Sequence, residues 1–176
     1  MADILKPKRI PSMGHVLQYF KALFLARGLR PVVLAACLVA GCGASTESRV
    51  ELRLGDGNTT SPTNWEGSWV LINYWADWCT PCRDEVPELN ELQHHQGDNR
   101  VLVFGVNFDQ LEGPDLAASE AELGIEFPTL LDDPFLLLGY ETPQVLPMTV
   151  ILSPTGEVRQ MLVGPQTKQN FINAFN

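Results

Sequence analysis

The sequence predicts an α/β domain, a central mixed β-sheet with helices on both faces. Three observations carry this. Short apolar runs alternate with longer stretches of helical spacing, in the order β-α-β-α-(β-α)-β-β-α. The run Val70–Trp75 is apolar at nearly every position, as a strand covered on both faces should be. The last two runs, Met148–Leu152 and Glu157–Val163, are separated only by Ser153-Pro154-Thr155-Gly156, a turn that makes an antiparallel hairpin after a parallel first part.

The chain opens basic. Lys6, Lys8, Arg9, Lys21, Arg27 and Arg30 stand against a single acid, Asp3, over residues 1–41. The apolar run Pro31–Ala40 follows. It is too short to span a bilayer comfortably, which takes about 20 apolar residues, and it suits the h-region of a secretory signal. Leu38-Val39-Ala40-Gly41-Cys42 resembles the bacterial lipobox, whose cysteine is acylated and becomes the mature N-terminus. The alternative is an uncleaved anchor helix in the inner membrane. Residues 13–42 make a complete signal by themselves, so Met13 is a second possible start. Gly43 replaces the Asp that tends to hold enterobacterial lipoproteins at the inner membrane, which leans the anchor toward the outer membrane. Residues 1–41 thus read as a lipoprotein signal, 42–48 as a small, polar tether and 49–176 as the folded domain.

Within that domain Val50–Leu54 alternates apolar and polar and predicts an edge strand. Gly55–Pro62 has loop chemistry. Val70–Trp75 is the buried strand, with Asn73 its polar exception. From Cys79 to about Gln96 a helix carries Val86, Leu89 and Leu92 on one face. Pro81 suits its first turn, whereas Pro87 in the interior predicts a kink. His94 and His95 lie at its solvated end, and Gly97-Asp98-Asn99 stops it. Val101–Val106 is a second buried strand. Gly113-Pro114 opens a helix that Gly124 closes, Phe127–Leu131 is extended, and Asp133-Pro134 caps a short helix ending near Gly139. After the hairpin, Gly164-Pro165 starts a last helix that buries Phe171, Ile172 and Phe175.

Composition narrows the function. With 45% hydrophobic and 19% charged residues the chain is an ordinary globular one. Its net charge of −9 hides an asymmetry: beyond residue 41 six bases face 20 acids, a net of −14. So acidic a domain argues against nucleic acid as a partner.

Chemistry concentrates at Trp78-Cys79-Thr80-Pro81-Cys82, where the buried strand feeds the helix. A cysteine at a helix N-terminus lies among unpaired N–H groups at the positive end of the helix dipole. Its thiolate is stabilised there, and in C-x-x-C motifs the pKa falls from about 8.5 to roughly 3.5–7.5. Cys79 is then the nucleophile and Cys82, one turn in, the resolving thiol. Two other uses of the pair stand beside this: an inert structural disulfide, and half of a zinc site. The second needs further ligands from Cys37, Cys42, His15, His94 and His95, and the adjacent histidines lack the usual zinc spacing. No metal is expected.

The stretch from Asn73 to Pro87 resembles the active-site signature of the thioredoxin superfamily, and its C-R-x-E-x-P continuation is similar to the TlpA-like branch of membrane-tethered thiol–disulfide proteins. Val101–Asn107 looks like that family's next strand. Leu146-Pro147-Met148-Thr149 sits where the family has a cis-proline facing the cysteines. The resemblance implies a thioredoxin fold and dithiol–disulfide exchange, with Trp78, Thr80 and Pro81 supporting the site and Leu146 and Pro147 binding substrate backbone. Thioredoxin's buried acid corresponds to Asn73 here, which cannot take a proton. Glu85, one turn beyond Cys82, is the candidate acceptor, against a plainer role as a partner of the helix dipole.

The expectation is therefore a lipid-anchored thiol–disulfide oxidoreductase on the periplasmic face of a bacterial membrane. It would reduce disulfides of exported proteins and be recharged by an upstream membrane thiol reductant. It would need no cofactor beyond the redox-active Cys79–Cys82 disulfide. Alternatives are a disulfide donor using the same site and a copper-chaperone-like metal-binding module, which is typically built on C-x-x-x-C with a downstream His.

Overall fold

The computed structural model describes residues 50–94 and 99–175. The signal, Cys42, the tether, His95 and Gly97-Asp98 lie outside them. The elements are β1 (Leu52–Arg53), β2 (Thr59–Thr60), α1 (Pro62–Trp65), β3 (Trp69–Trp75), α2 (Thr80–Gln93), β4 (Val101–Asn107), α3 (Gly113–Leu123), β5 (Thr129–Leu130), α4 (Phe135–Leu138), β6 (Met148–Leu152), β7 (Val158–Val163) and α5 (Lys168–Asn173).

β3 is central because it can afford to be: every residue from Val70 to Trp75 is buried. The sheet order is β5-β4-β3-β6-β7. β3, β4 and β5 are parallel, while β6 and β7 return antiparallel as the expected hairpin. Strand alternation sorts the core into two sides. Val70, Ile72 and Tyr74 pack with Phe104, Val150 and Trp65 of α1, and Phe135 and Leu138 of α4 lie against them. The odd residues Leu71 and Trp75 face the other way. Leu71 meets Leu89 and Leu92 of α2 and Phe171 of α5, and Trp75 meets Val86 of α2 and Leu116 and Leu123 of α3. Helices therefore cover both faces, as expected. Leu89 and Leu92 are wholly buried, and burying a leucine side chain contributes about 1.5–3 kcal/mol.

Several local expectations change. Only Leu52–Arg53 of the predicted edge strand Val50–Leu54 is strand, and its ladder partner is β2, inside the stretch read as loop. This small sheet docks on the β5 edge. Leu54 makes one antiparallel bridge to Leu130, Leu131 N donates to Arg53 O at 2.9 Å, and Gly55 N donates to Thr129 O at 2.8 Å. A sheet edge that would otherwise present unpaired backbone is thus occupied. Helix α1 was not legible; it is one turn long and buries only Trp65, whose Nε1 donates to Thr60 Oγ1 at 2.9 Å. α2 starts after Cys79 and ends at Gln93, with His94 as C-cap, and Pro87 lies inside it. α3 begins and ends as predicted, with Gly124 left-handed at its close. α5 begins at Lys168 and not at Gly164-Pro165, because the Thr167 side chain provides the cap, accepting from Asn170 N. Phe171 is buried; Ile172 and Phe175 are half-buried, the latter stacked on Trp69 at 4.8 Å.

Candidate active site

The site forms where β3 ends and α2 begins. Cys79 is the N-cap of α2, Thr80 and Pro81 are its first two residues, and Cys82 completes the first turn. Proline at that position loses no hydrogen bond, since first-turn N–H groups have no intrahelical partner. Cys79 N donates to Ala76 O at 3.2 Å and Cys82 N to Cys79 O at 3.1 Å. This winding brings the two Cα atoms to 5.3 Å, and the sulfurs are joined as a disulfide. Both cysteines are buried, at 4% and 1% exposure. Thr80 is exposed and Pro81 half-buried.

The loop before Cys79 is stapled to α3. Arg83 Nη2 donates to Asp77 O at 2.8 Å and to Glu122 Oε1 at 2.6 Å, and Ser119 Oγ donates to Asp77 Oδ2 at 3.1 Å. Trp78 is 61% exposed, yet its ring is held: Nε1 donates to Asp109 Oδ2 at 2.7 Å, and Phe108 meets it edge-on at 6.1 Å. Phe108 N in turn donates to Trp75 O at 2.8 Å, which keeps the loop after β4 beside the cysteines. Nothing in the spacing of Phe108, Asp109, Ser119 or Glu122 marks them in advance.

The Leu146–Pro147 peptide bond is cis. Pro147 O accepts from Gly164 N at 2.8 Å, and Leu146 packs against the cluster containing Cys79 and Cys82. The distant Leu-Pro pair and the C-x-x-C pair are therefore one site.

Behind it lies a buried polar group. Glu85 is 1% exposed and sits beyond the first turn of α2, so it is not a solvated partner of the helix dipole. Asn73 Nδ2 donates to Glu85 Oε2 at 2.7 Å and is also 2.9 Å from Thr149 Oγ1, while Gln166 N donates to Glu85 Oε1 at 3.1 Å. Burial pushes the Glu85 carboxyl up to about 7, against the two hydrogen bonds that favour its anion. Residues three apart on a helix share a face, so Glu85 lies on the Cys82 side of α2. Among the described residues, no three His, Cys, Asp or Glu side chains gather as a metal-holding group.

The model of the AhpC/TSA family matches residues 46–161, well over half of the chain. The chain belongs to the AhpC/TSA family. Among curated members, it is 30% identical over 110 residues to the thiol-disulfide oxidoreductase ResA of Geobacillus kaustophilus, covering 61% of this chain and 62% of that protein. It is 33% identical over 115 residues to the thioredoxin-like protein YneN of Bacillus subtilis, covering 64% and 66%. The chain thus spans just under two thirds of the length of these relatives. Among solved structures, a thiol:disulfide interchange protein of the thioredoxin family from Chlorobium tepidum superposes with a TM-score of 0.57 at 24% identity, over 72% of this chain and 90% of that one. The fold is that of thioredoxin.

Proposed function

We propose that this AhpC/TSA-family chain is a thiol–disulfide oxidoreductase that reduces disulfides of exported proteins. The observation that carries the reading is a single site: a bonded Cys79–Cys82 pair at a helix start, Leu146 against it, and the buried acid Glu85 behind it. The similarity to the thiol-disulfide oxidoreductase ResA supports the same chemistry.

The exchange follows from this arrangement. In the reduced protein the Cys79 thiolate attacks one sulfur of a substrate disulfide, and the other substrate sulfur leaves as a thiolate. A mixed disulfide now joins Cys79 to substrate. Cys82 loses its proton, and its thiolate attacks the Cys79 sulfur; the second substrate thiolate leaves. Two electrons have passed to the substrate and the protein holds the Cys79–Cys82 disulfide. Glu85, poised near neutrality, is the group that takes the Cys82 proton, and Asn73 orients it. Trp78, Thr80 and Pro81 shape the surface around Cys79, and the Leu146 backbone pairs with the extended substrate. A membrane dithiol donor restores the reduced state.

Export and anchoring complete the reading. The lipobox-like Leu38–Cys42 supports acylation at Cys42 and a place on the periplasmic face of a bacterial membrane, the outer one by the Gly43 argument. No helix among the described residues is long and apolar enough to cross a membrane.

The test is the adduct pattern of single cysteine variants. Cys82→Ala should accumulate mixed disulfides through Cys79 that reductant dissolves, and Cys79→Ala few or none. Equal trapping by both would sink the assignment of Cys79 as nucleophile. Acid-quenched alkylation of growing cells reads the direction: a mostly dithiol pair fits the reductant, and a persistently oxidised pair makes the protein a disulfide donor.

A further inference from the structure

A second cleft opens beside the cysteines. It lies at the C-terminal ends of β3 and β4, between the turn Asn107–Leu111 and the segments Leu131–Asp133 and Thr142–Gln144, and encloses about 700 Å³. We propose that this cleft is a substrate subsite that takes a basic side chain near the cysteine of a protein or peptide disulfide. The inference rests on the thiol–disulfide reading above and adds the character of the substrate.

The cleft is continuous with the redox site. Leu111 and Leu131 line it and also pack against the cluster holding Cys79 and Cys82. Phe108 lines it and meets Trp78 edge-on. Thr142-Pro143-Gln144 run through Val145 directly into Leu146. An extended substrate advances about 3.3 Å per residue. A chain paired with the Leu146 backbone therefore brings a residue a few positions from its cysteine into the cleft.

The lining sets what that residue is. Among the described residues, the carboxylates lining it are Asp132 and Asp133, and no Lys or Arg lines the walls. Asp132 is already engaged by Arg53, whose Nε and Nη2 donate to its Oδ1 at 3.1 and 2.8 Å. Asp133 is exposed. Its Oδ1 accepts from Tyr74 OH at 2.6 Å and from Phe135 N at 3.2 Å, which fixes the carboxylate. Its Oδ2 takes no hydrogen bond from the described residues and is open to a cation. Val106 and Leu130 on the walls suit the methylene stem of a lysine or arginine. Asn107, 3% exposed, also lines the cleft. Its Oδ1 accepts from Leu111 N at 3.1 Å and fixes the turn, while its Nδ2 is sealed from the cleft and offers no donor to a substrate. An acidic side chain would meet the Asp133 carboxylate, with the nearby cation Arg53 already paired to Asp132.

The experiment uses the reduced protein and short peptides, each with one cysteine in a mixed disulfide with a chromogenic thiol. Lys, Ala or Glu is placed in turn at the positions on either side of the cysteine. At one position Lys should exceed Glu in kcat/KM by about fivefold, the scale of one partly exposed charge contact, and the preference should shrink as salt rises. Asp133→Asn keeps an acceptor for Tyr74 and removes the charge, and should bring the ratio close to one. Thr142→Arg puts a cation at the cleft and should turn the preference toward Glu. Glu157→Gln removes an equal charge at the far hairpin and should leave the preference as it was. Equal rates for Lys and Glu at every position, or a preference that survives both Asp133→Asn and Thr142→Arg, overturns the subsite. A reduced protein that attacks neither the peptides nor the free chromogenic disulfide overturns the thiol–disulfide reading itself.

Discussion

Glu85 shows what one buried acid does to a thiol site. Its carboxyl is held up to about 7 by burial, with Asn73 and Gln166 pulling the other way. The sign of the pH effect follows. A carboxyl whose folded pKa lies above its unfolded value near 4.5 keeps its proton in the folded state over a range where the unfolded chain has lost it. Its contribution is most favourable below about 4.5 and is lost as pH rises through about 7, a swing on the order of 3 kcal/mol at most. Glu85→Gln should therefore leave stability at pH 5 nearly unchanged and raise it at pH 8, as urea melts across that range would show. The same variant should slow resolution of the mixed disulfide, which single-turnover quenching reads separately. A variant with the wild-type pH slope would mean that Glu85 is already ionised at pH 5 and cannot take a proton at neutrality.

At the scale of elements, β4 leaves no room for a side chain at Gly105. Gly105 sits opposite Asn73 on β3 and Thr129 on β5. A Cβ built there falls 2.7 Å from Trp75 Nε1, 3.1 Å from Thr129 Oγ1 and 3.2 Å from Phe127 Cε2. Trp75 is wholly buried and has no easy way to yield. It is also the residue from which the loop to Cys79 departs. Gly105→Ala should destabilise the domain by about 1–3 kcal/mol, the usual cost of overpacking, seen as a lower urea midpoint at unchanged m. The glycine is there for this close approach and not for a positive φ.

At the scale of the whole molecule, charge and chain order divide the labour. Bases cluster before residue 42 and acids after it, which leaves residues 42–176 at −14. The proposed anchor would separate the two parts chemically: an acylated Cys42 is a thioether outside redox chemistry, which would leave Cys79 and Cys82 as the acting thiols of the mature chain. Cys42→Ser should abolish acylation and leave the signal unprocessed by that route, shown by membrane fractionation and mass spectrometry of the N-terminus. A wild-type mature chain that begins elsewhere and carries no acyl group would refute the anchor.

The sequence by itself determined the parts whose signals are local. An apolar run gives β3, helical spacing of Val86, Leu89 and Leu92 gives α2, and a turn between two strands gives the hairpin. Cysteines at a helix start are legible because cap and first-turn chemistry span only a few residues. Pro147 was legible only through family resemblance, since its partners are the far-off cysteines. The tertiary structure alone decided the rest. Glu85 stands in the sequence as a candidate acceptor beside a plainer role as helix-dipole partner, and only the fold brings Asn73, twelve positions back, and Gln166, 81 positions on, to meet it inside the core. The small β1–β2 sheet and α1 are too short for periodicity to register, and they exist because the β5 edge and the Trp65 pocket give them somewhere to dock. The cleft at Asn107 and Asp133 joins loops that are distant in sequence. Periodicity reports which face of an element is apolar; it does not report which polar group will be waiting on the element across from it.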